Sequence, residues 1–290
     1  MTQEIKKAVI PIAGLGSRFL PLSKVVPKEL WPLVDKPVIQ YIVEEARNSG
    51  IKEIIFVNKP GKKLVVDYFE KGIKSKKTSF SKYKKHFQKE IENLESISKD
   101  ISFSQVFQKT PLGAAHAVFQ AGNLVKKEPC AVLWADDVVE SKTPCLAQLI
   151  KVFKKYGKPV IALARVPKES FQFYGMIKGE KIENRVYGVE DFIEKPKIKE
   201  APSNLAIVGK YIITPEVFDR LQKTHFSLKS DISLSETLAD MAKEGKEVLG
   251  YEVEGKWLEC GNKLAYLKSN LYLSLKDRRF GKELKKQLKI

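Results

Sequence analysis

Apolar residues recur along this chain in two rhythms. Strand-like runs occur at Ala8 to Ile12, Ile54 to Val57, Ile101 to Phe107 and Cys130 to Ala135, the last of them continuous enough to read as a buried strand. Between them lie stretches with helical spacing, such as Val38, Ile39, Ile42, Val43 and Ala46, which give a helix one apolar face. That helix is expected to start with Asp35 as N-cap, carry Pro37 in its first turn and end at Gly50. A lysine-rich helical excursion reaches about Asp100, and a further helix is expected over Gly113 to Leu124. The alternation predicts βαβ units, hence an α/β fold with a Rossmann-like mixed, mainly parallel sheet flanked by helices. Beyond residue 158 shorter runs (Val160 to Ala164, Tyr174 to Lys178, Val186 to Ile193, Ala206 to Ile213) predict a smaller sheet region beside the first half. From Gly261 onward one or two helices are expected, free to pack on the body or on a second subunit. With no repeat and no linker, 1–290 reads as a single domain in three parts, about 1–150, 151–260 and 261–290.

Composition narrows the class. The chain starts without the features of a signal peptide, and no later run reaches about 18 apolar residues, so neither export nor a membrane is expected. Cys130, Cys145 and Cys260 are odd in number and form no CxxC pair, against a disulfide framework or a structural zinc site. A cytoplasmic location fits. The net charge of +17 invites a nucleic-acid partner. Its distribution argues otherwise: eight lysines between Lys71 and Lys89 and seven basic residues from Lys276 to Lys289 look like solvated helix faces, and no RNA- or DNA-binding signature accompanies them. No nucleic acid is expected; a field that favours anionic substrates is.

The most specific stretch is AVIPIAGLGSRFLPLSKVVPKELWPLVDKP, Ala8 to Pro37. Gly14 and Gly16 follow a strand, where missing side chains let backbone N–H groups approach phosphate oxygens or a base edge. Phe19 stands in place of the third glycine of GxGxxG, and no GK[ST] makes a P-loop. Arg18 and Lys28 supply a bidentate fork and a point charge suited to a triphosphate. Taken alone, such a turn is as readily a plain tight loop.

GLGSRFLP, PKE followed by PLVDKPVIQY, QKTPLGAAHAV, the strand ending in Asp136, YGMI, IEKPK, PSNLAIVGKYI and CGNK stand here in one order across nearly the whole chain. That ordered set resembles the sugar-phosphate nucleotidylyltransferases, and among them those that join UTP to glucose 1-phosphate. The resemblance implies a Mg²⁺-assisted in-line attack giving UDP-glucose and pyrophosphate, a homodimer or homotetramer, a nucleotide-binding part over 1–150 and a sugar-binding part over 151–260. It implies contacts to the uracil from Ala13, Gly14, Gln108 and Gly113, with Gly16 and Glu29 also on the substrate and Arg18 and Lys28 on the phosphates. A Gln amide offers both the donor and the acceptor that a pyrimidine edge requires, although a surface-turn glutamine is the plain alternative. His116 reads as structural rather than as a base, since the attacking phosphate oxygen is already anionic.

The resemblance further implies that Asp136 binds Mg²⁺, with Asp137 beside it, at a strand end where α/β sheets place functional groups. The second metal carboxylate, usually Asp, is here Glu259, one methylene longer. Glu194 and Lys195 are implied at the sugar hydroxyls and the sugar phosphate; both can point inward only if the strand ends there, which Pro196 favours. Gly175 and Gly209 fit close approach to a sugar, though a β-bulge explains a strand glycine equally well. In KSDISLSETLADM, Lys229 to Met241, four polar positions depart from the family's pattern: Asp231, Ser233, Ser235 and Glu236. Two other readings remain: a sister enzyme using dTTP or another sugar 1-phosphate, and a non-catalytic regulatory subunit that binds nucleotide-sugars.

Overall fold

The computed structural model describes residues 3–70, 91–228 and 231–289. The lysine cluster of 71–89 lies outside them. Among the described residues thirteen strands are formed: β1 (Lys7–Pro11), β2 (Pro32–Leu33), β3 (Lys36–Pro37), β4 (Glu53–Asn58), β5 (Ser102–Phe107), β6 (Cys130–Leu133), β7 (Asp137–Glu140), β8 (Val160–Arg165), β9 (Gly175–Glu183), β10 (Val186–Glu194), β11 (Leu205–Ile213), β12 (Leu249–Glu252) and β13 (Lys256–Glu259). Nine of them make one sheet in the order β5-β4-β1-β6-β11-β8-β12-β10-β9. The strands β8 to β12 therefore extend the first sheet instead of forming another beside it, while β13 pairs with β7 in a separate two-stranded sheet. Parallel pairing is confined to β5-β4-β1-β6 and to β8-β12, and the other pairs are antiparallel. The sheet is thus evenly mixed, because β9 and β10 join by a direct reversal and β11 runs antiparallel to both β6 and β8.

Alternation along the central strands sends Ala8, Ile10, Ile54 and Phe56 to one face and Val9, Ile55 and Val57 to the other. On the first face pack the helices Val38–Asn48 and Cys145–Tyr156; on the second pack Ala114–Gln120, Pro215–Lys223 and Leu234–Lys243. Asp35 does not cap the first of these: Pro37 is the N-cap and makes no side-chain cap bond, while Asp35, in the β2-β3 turn, pairs with Arg279 at 2.5 Å. The expected Gly113 to Leu124 helix is broken at Ala121 into Ala114–Gln120 and Gly122–Val125. Within the first face, Lys210 of β11 is fully buried and pairs with Glu45 at 3.0 Å. Glu45 also accepts from the Leu146 N–H at the start of the helix Cys145–Tyr156. Cys130, Cys145 and Cys260 are free and buried, and no helix among the described residues is long and apolar enough to cross a membrane.

Candidate active site

The glycine-rich turn leaves β1 through Ile12, whose N–H donates to Val57 at 2.8 Å. At Gly16 the backbone turns left-handed (φ 66°), and a Cβ there would lie 3.1 Å from that of Ser23, so glycine is required twice over. Ser23 Oγ donates back to the Gly16 carbonyl at 2.7 Å. Phe19 explains the broken dinucleotide motif. It is buried edge-on against Trp31 (4.6 Å between centroids) and Tyr266, and anchors the turn in the core. Gly14 differs from Gly16: a Cβ on it would meet nothing within 4 Å, and its backbone borders a cavity of about 660 Å³.

Ala13, Gly14, Gly16, Arg18, Lys28, Glu29, Gln108 and Gly113 all line that cavity. Gln108 Nε2 lies 3.0 Å from the Gly113 carbonyl and 3.0 Å from His116 Nδ1, so both of its hydrogens are engaged. The donor-and-acceptor pair expected of Gln108 is therefore reduced to its acceptor. An amide nitrogen can only donate, which makes His116 Nδ1 the acceptor and Nε2 the protonated nitrogen. The partner of Nε2, Gln120 at 3.0 Å, must then turn its oxygen toward the ring. Burial lowers the His116 pKa and keeps the ring neutral, as this arrangement needs. Glu29 is turned inward, with Oε2 on Lys62 at 2.8 Å.

At the floor, β6 ends at Leu133, three residues before Asp136; Asp136 sits in the turn that leads to β7. Lys28 Nζ lies 2.5 Å from Asp136 Oδ2. Burial opposes both charges, but each holds the other ionised: the Lys28 pKa is raised and that of Asp136 lowered. Asp137, buried beside Asp136, is pushed up to about 7 despite a 2.7 Å bond from Trp257 Nε1. β13 brings in Glu259, tied to the Asp136 backbone by the Cys260 N–H (2.7 Å). A Cβ added at Gly261 would sit 3.2 Å from Asp136 Oδ2 and 3.2 Å from Glu259 Oε1, so oxygens of the two carboxylates flank one small space. Tyr174 Oη (2.9 Å) and Asn262 Nδ2 (3.0 and 3.1 Å) hold the longer glutamate arm in place. Two hard oxygens from separate elements, oriented by neighbouring donors, fit a divalent cation with oxygen ligands.

Beside this floor a second cavity, of about 230 Å³, is lined by Asp136, Asp137, Gly175, Glu194, Lys195, Gly209 and Glu259 and meets the first at Arg18, Asp136 and Gly261. β10 ends at Glu194, and Lys195 takes φ 46°; the break in pleat lets both side chains face the same space, 2.5 Å apart. Gly175 is needed because a Cβ would press on the Phe192 ring (3.0 Å) and Glu194 Oε2 (3.1 Å). Gly209 sits at a register shift of β11, and its N–H donates to Asp137 Oδ2 at 3.2 Å. A Cβ there would run into Asp137 and Trp134, so the glycine admits protein groups as much as any ligand. All fifteen residues picked out above thus line two adjoining cavities. Sequence reasoning missed Lys62, Trp134, Tyr174, Tyr211 and Trp257, whose partners are distant in the chain. The departing segment faces both spaces: Asp231 lines the first, Ser233 and Ser235 the second, with Ser235 on Tyr211 Oη at 2.9 Å. Ser233 and Glu236 also form the capping box of the helix Leu234–Lys243.

A model of the family described as nucleotidyl transferase matches residues 7–274. A UTP–glucose-1-phosphate uridylyltransferase of Staphylococcus epidermidis is 39% identical over 99% of this chain and 98% of its own. One of Bacillus subtilis is 38% identical over 99% and 95%. Among solved structures, UDP-glucose pyrophosphorylase complexed with UDP-glucose superposes with TM-score 0.84 at 36% identity, covering 94% of this chain and all of the other. UTP-bound UGPase from Acinetobacter baumannii gives 0.83 at 32%, covering 98% of each.

Proposed function

The chain belongs to the nucleotidyl transferase family, and we propose from that premise that it transfers the uridylyl group of UTP to glucose 1-phosphate, giving UDP-glucose and pyrophosphate. The observation that carries the reading within this molecule is the Lys28–Asp136 pair, set where the glycine-loop cavity meets the strand-end cavity. A sugar-phosphate oxygen attacks the α-phosphorus of UTP; a new P–O bond forms as the bond to the β-phosphate oxygen breaks, and its electron pair leaves with pyrophosphate. No covalent enzyme intermediate is needed, so the residues act by positioning and charge. Uracil lies against Ala13, Gly14, Gly113 and the Gln108 oxygen. Arg18 and Lys28 take the phosphates, Lys195 the sugar phosphate and Glu194 the hydroxyls. Asp136 and Glu259 would hold the cation, Mg²⁺ in our reading, which supplies charge neutralisation at the phosphates.

The nucleotide part spans about 1–150, the sugar part 151–260, and both belong to one domain. We place the protein in the cytoplasm, in keeping with three unpaired cysteines. We expect a dimer or tetramer, for which the exposed Leu264, Leu267 and Leu271 on the helix Lys263–Lys276 offer a surface. The test is pyrophosphate release by the purified protein with UTP, glucose 1-phosphate and Mg²⁺, beside dTTP and a metal-free control. Strong release that requires both UTP and metal is expected. Release with dTTP alone, or none with any nucleotide, would refute the assignment.

A further inference from the structure

The loop assigned to the base is held from behind by one side chain. Lys62 follows Gly61 (φ 85°) and precedes the helix Leu64–Glu70. Its ammonium donates to the Ile12 carbonyl at 2.5 Å, pairs with Glu29 Oε2 at 2.8 Å and lies 3.4 Å from the Gly14 carbonyl. Three hydrogens thus meet three acceptors. The Lys62 side chain is 8% exposed and that of Glu29 1%. So deep a pair is a weak source of stability, because desolvation offsets most of the attraction. Burial indeed lowers the Lys62 pKa against the pull of Glu29. Placement is the better account of why it is there.

A peptide plane carries the C=O of one residue and the N–H of the next in opposite directions. Ile12 is fixed at its N–H by the Val57 carbonyl and at its C=O by Lys62, so the Ala13 N–H is turned away from Lys62, and Ala13 lines the large cavity. The same reasoning, through the longer Gly14 contact, applies to the Leu15 N–H. At its other end the clamp grips Glu29, the neighbour of Lys28 in the short turn Lys28–Leu30, and Lys28 pairs with Asp136. We infer that Lys62 is a positioning residue for nucleotide recognition: through Ile12 and Gly14 it aims the base-facing N–H groups, and through Glu29 it sets the phosphate-binding Lys28 in the same frame.

The inference rests on the reading that this cavity takes UTP, and the test separates the two. Lys62→Met alone would strand the Glu29 carboxylate in the core, so the informative variant is the paired Lys62→Met/Glu29→Gln, compared with wild type and with Lys63→Ala next to it. The pair should melt close to wild type. Its KM for UTP should rise about tenfold and its preference for UTP over CTP should fall by a similar factor, as expected for charged hydrogen bonds lost at a recognition site. KM for glucose 1-phosphate should stay within about twofold, and Lys63→Ala should leave all constants unchanged. Lys62→Arg, which keeps the charge but presents a planar fork to three divergent acceptors, should fall between. A normally folded pair with unaltered KM for UTP and unaltered UTP-over-CTP preference overturns the inference. If the pair does not fold, UTP titration of Lys62→Arg decides: a raised Kd supports the clamp, an unchanged Kd overturns it. Wild type that forms no UDP-glucose overturns the functional reading first.

Discussion

The two cavities are built on different principles. In the proposed nucleotide cavity Ala13, Gly14, Gly16 and Gly113, which contribute little or no side chain, stand beside the side chains of Arg18, Lys28, Glu29 and Gln108, and what the backbone part displays depends on how peptide planes are held. In the proposed sugar cavity the charged surface is side chain, from Asp137 on β7, Glu194 and Lys195 at the end of β10 and Glu259 at the end of β13. A backbone surface needs glycines with specific reasons to be glycine, so most of it is written in the short stretch Ala13 to Gly16, with Gly113 added from a distant turn. Side-chain recognition gathers residues from across the sequence, and each could be altered by itself. The nucleotide side should therefore respond chiefly to changes in loop geometry, the sugar side to changes in single polar groups.

The largest effect should come from the element that serves both. Lys28→Ala removes a charge preorganised on Asp136, which lines both cavities, and is expected to lower kcat by about a hundredfold or more, near 3 kcal/mol, while circular dichroism and melting stay close to wild type. On the sugar side, Glu194→Gln should raise KM for glucose 1-phosphate about tenfold and leave KM for UTP unchanged, since one charge-assisted bond is weakened; equal changes in both constants would erase the contrast. Two glycines sharpen it further. Gly209→Ala forces a Cβ into Asp137 and Trp134 and should cost about 1–3 kcal/mol of stability, read as a lower Tm. Gly14→Ala has room in the protein, so Tm should hold within about 2 °C while KM for UTP rises. The smallest effect concerns pH. His116 has a lowered pKa in the folded protein, so its stabilising contribution is present above the unfolded value near 6.5 and is lost as pH falls. Protonation also turns Nδ1 from acceptor to donor against Gln108 Nε2. KM for UTP should rise roughly two- to threefold from pH 7 to 5 in wild type, a slope that His116→Ala should flatten.

Much of this was legible in the sequence for stated reasons. The strands Glu53–Asn58 and Leu205–Ile213 announce themselves as apolar runs because both of their faces are covered, whereas the edge strand Ser102–Phe107 mixes polar and apolar residues and has no fully buried position. The candidate site was legible where one residue type has one use, as with Gly16, Arg18 and Lys28 within thirteen residues of chain. Less visible was the continuity of the sheet: β12 and β13 are four residues each, and β12 takes its place between β8 and β10 through pairing that no local pattern encodes. Lys62 reads as one more surface lysine in a chain of 52 lysines and arginines, and only the fold brings it to Ile12, fifty residues away. Tyr174 likewise belongs to a sugar-side motif, yet its hydroxyl serves Glu259, eighty-five residues on. Asp35 misled because a polar residue before an apolar run is a capping signal, whereas here a proline begins the helix and the aspartate serves Arg279.

The place of β11 in the sheet has a consequence for how the molecule is assembled. This late strand lies between β6, from the first half of the chain, and β8, and from it Lys210 reaches Glu45 on a helix laid down more than 160 residues earlier. Neither half of the chain can close its own sheet, and the buried charge of each partner is tolerable only once the other has arrived. Folding should then be all-or-none, with a single unfolding transition seen alike by every probe. Fragments separated near residue 158 should be incompetent apart and should regain structure, and the shared floor around Asp136, only when mixed.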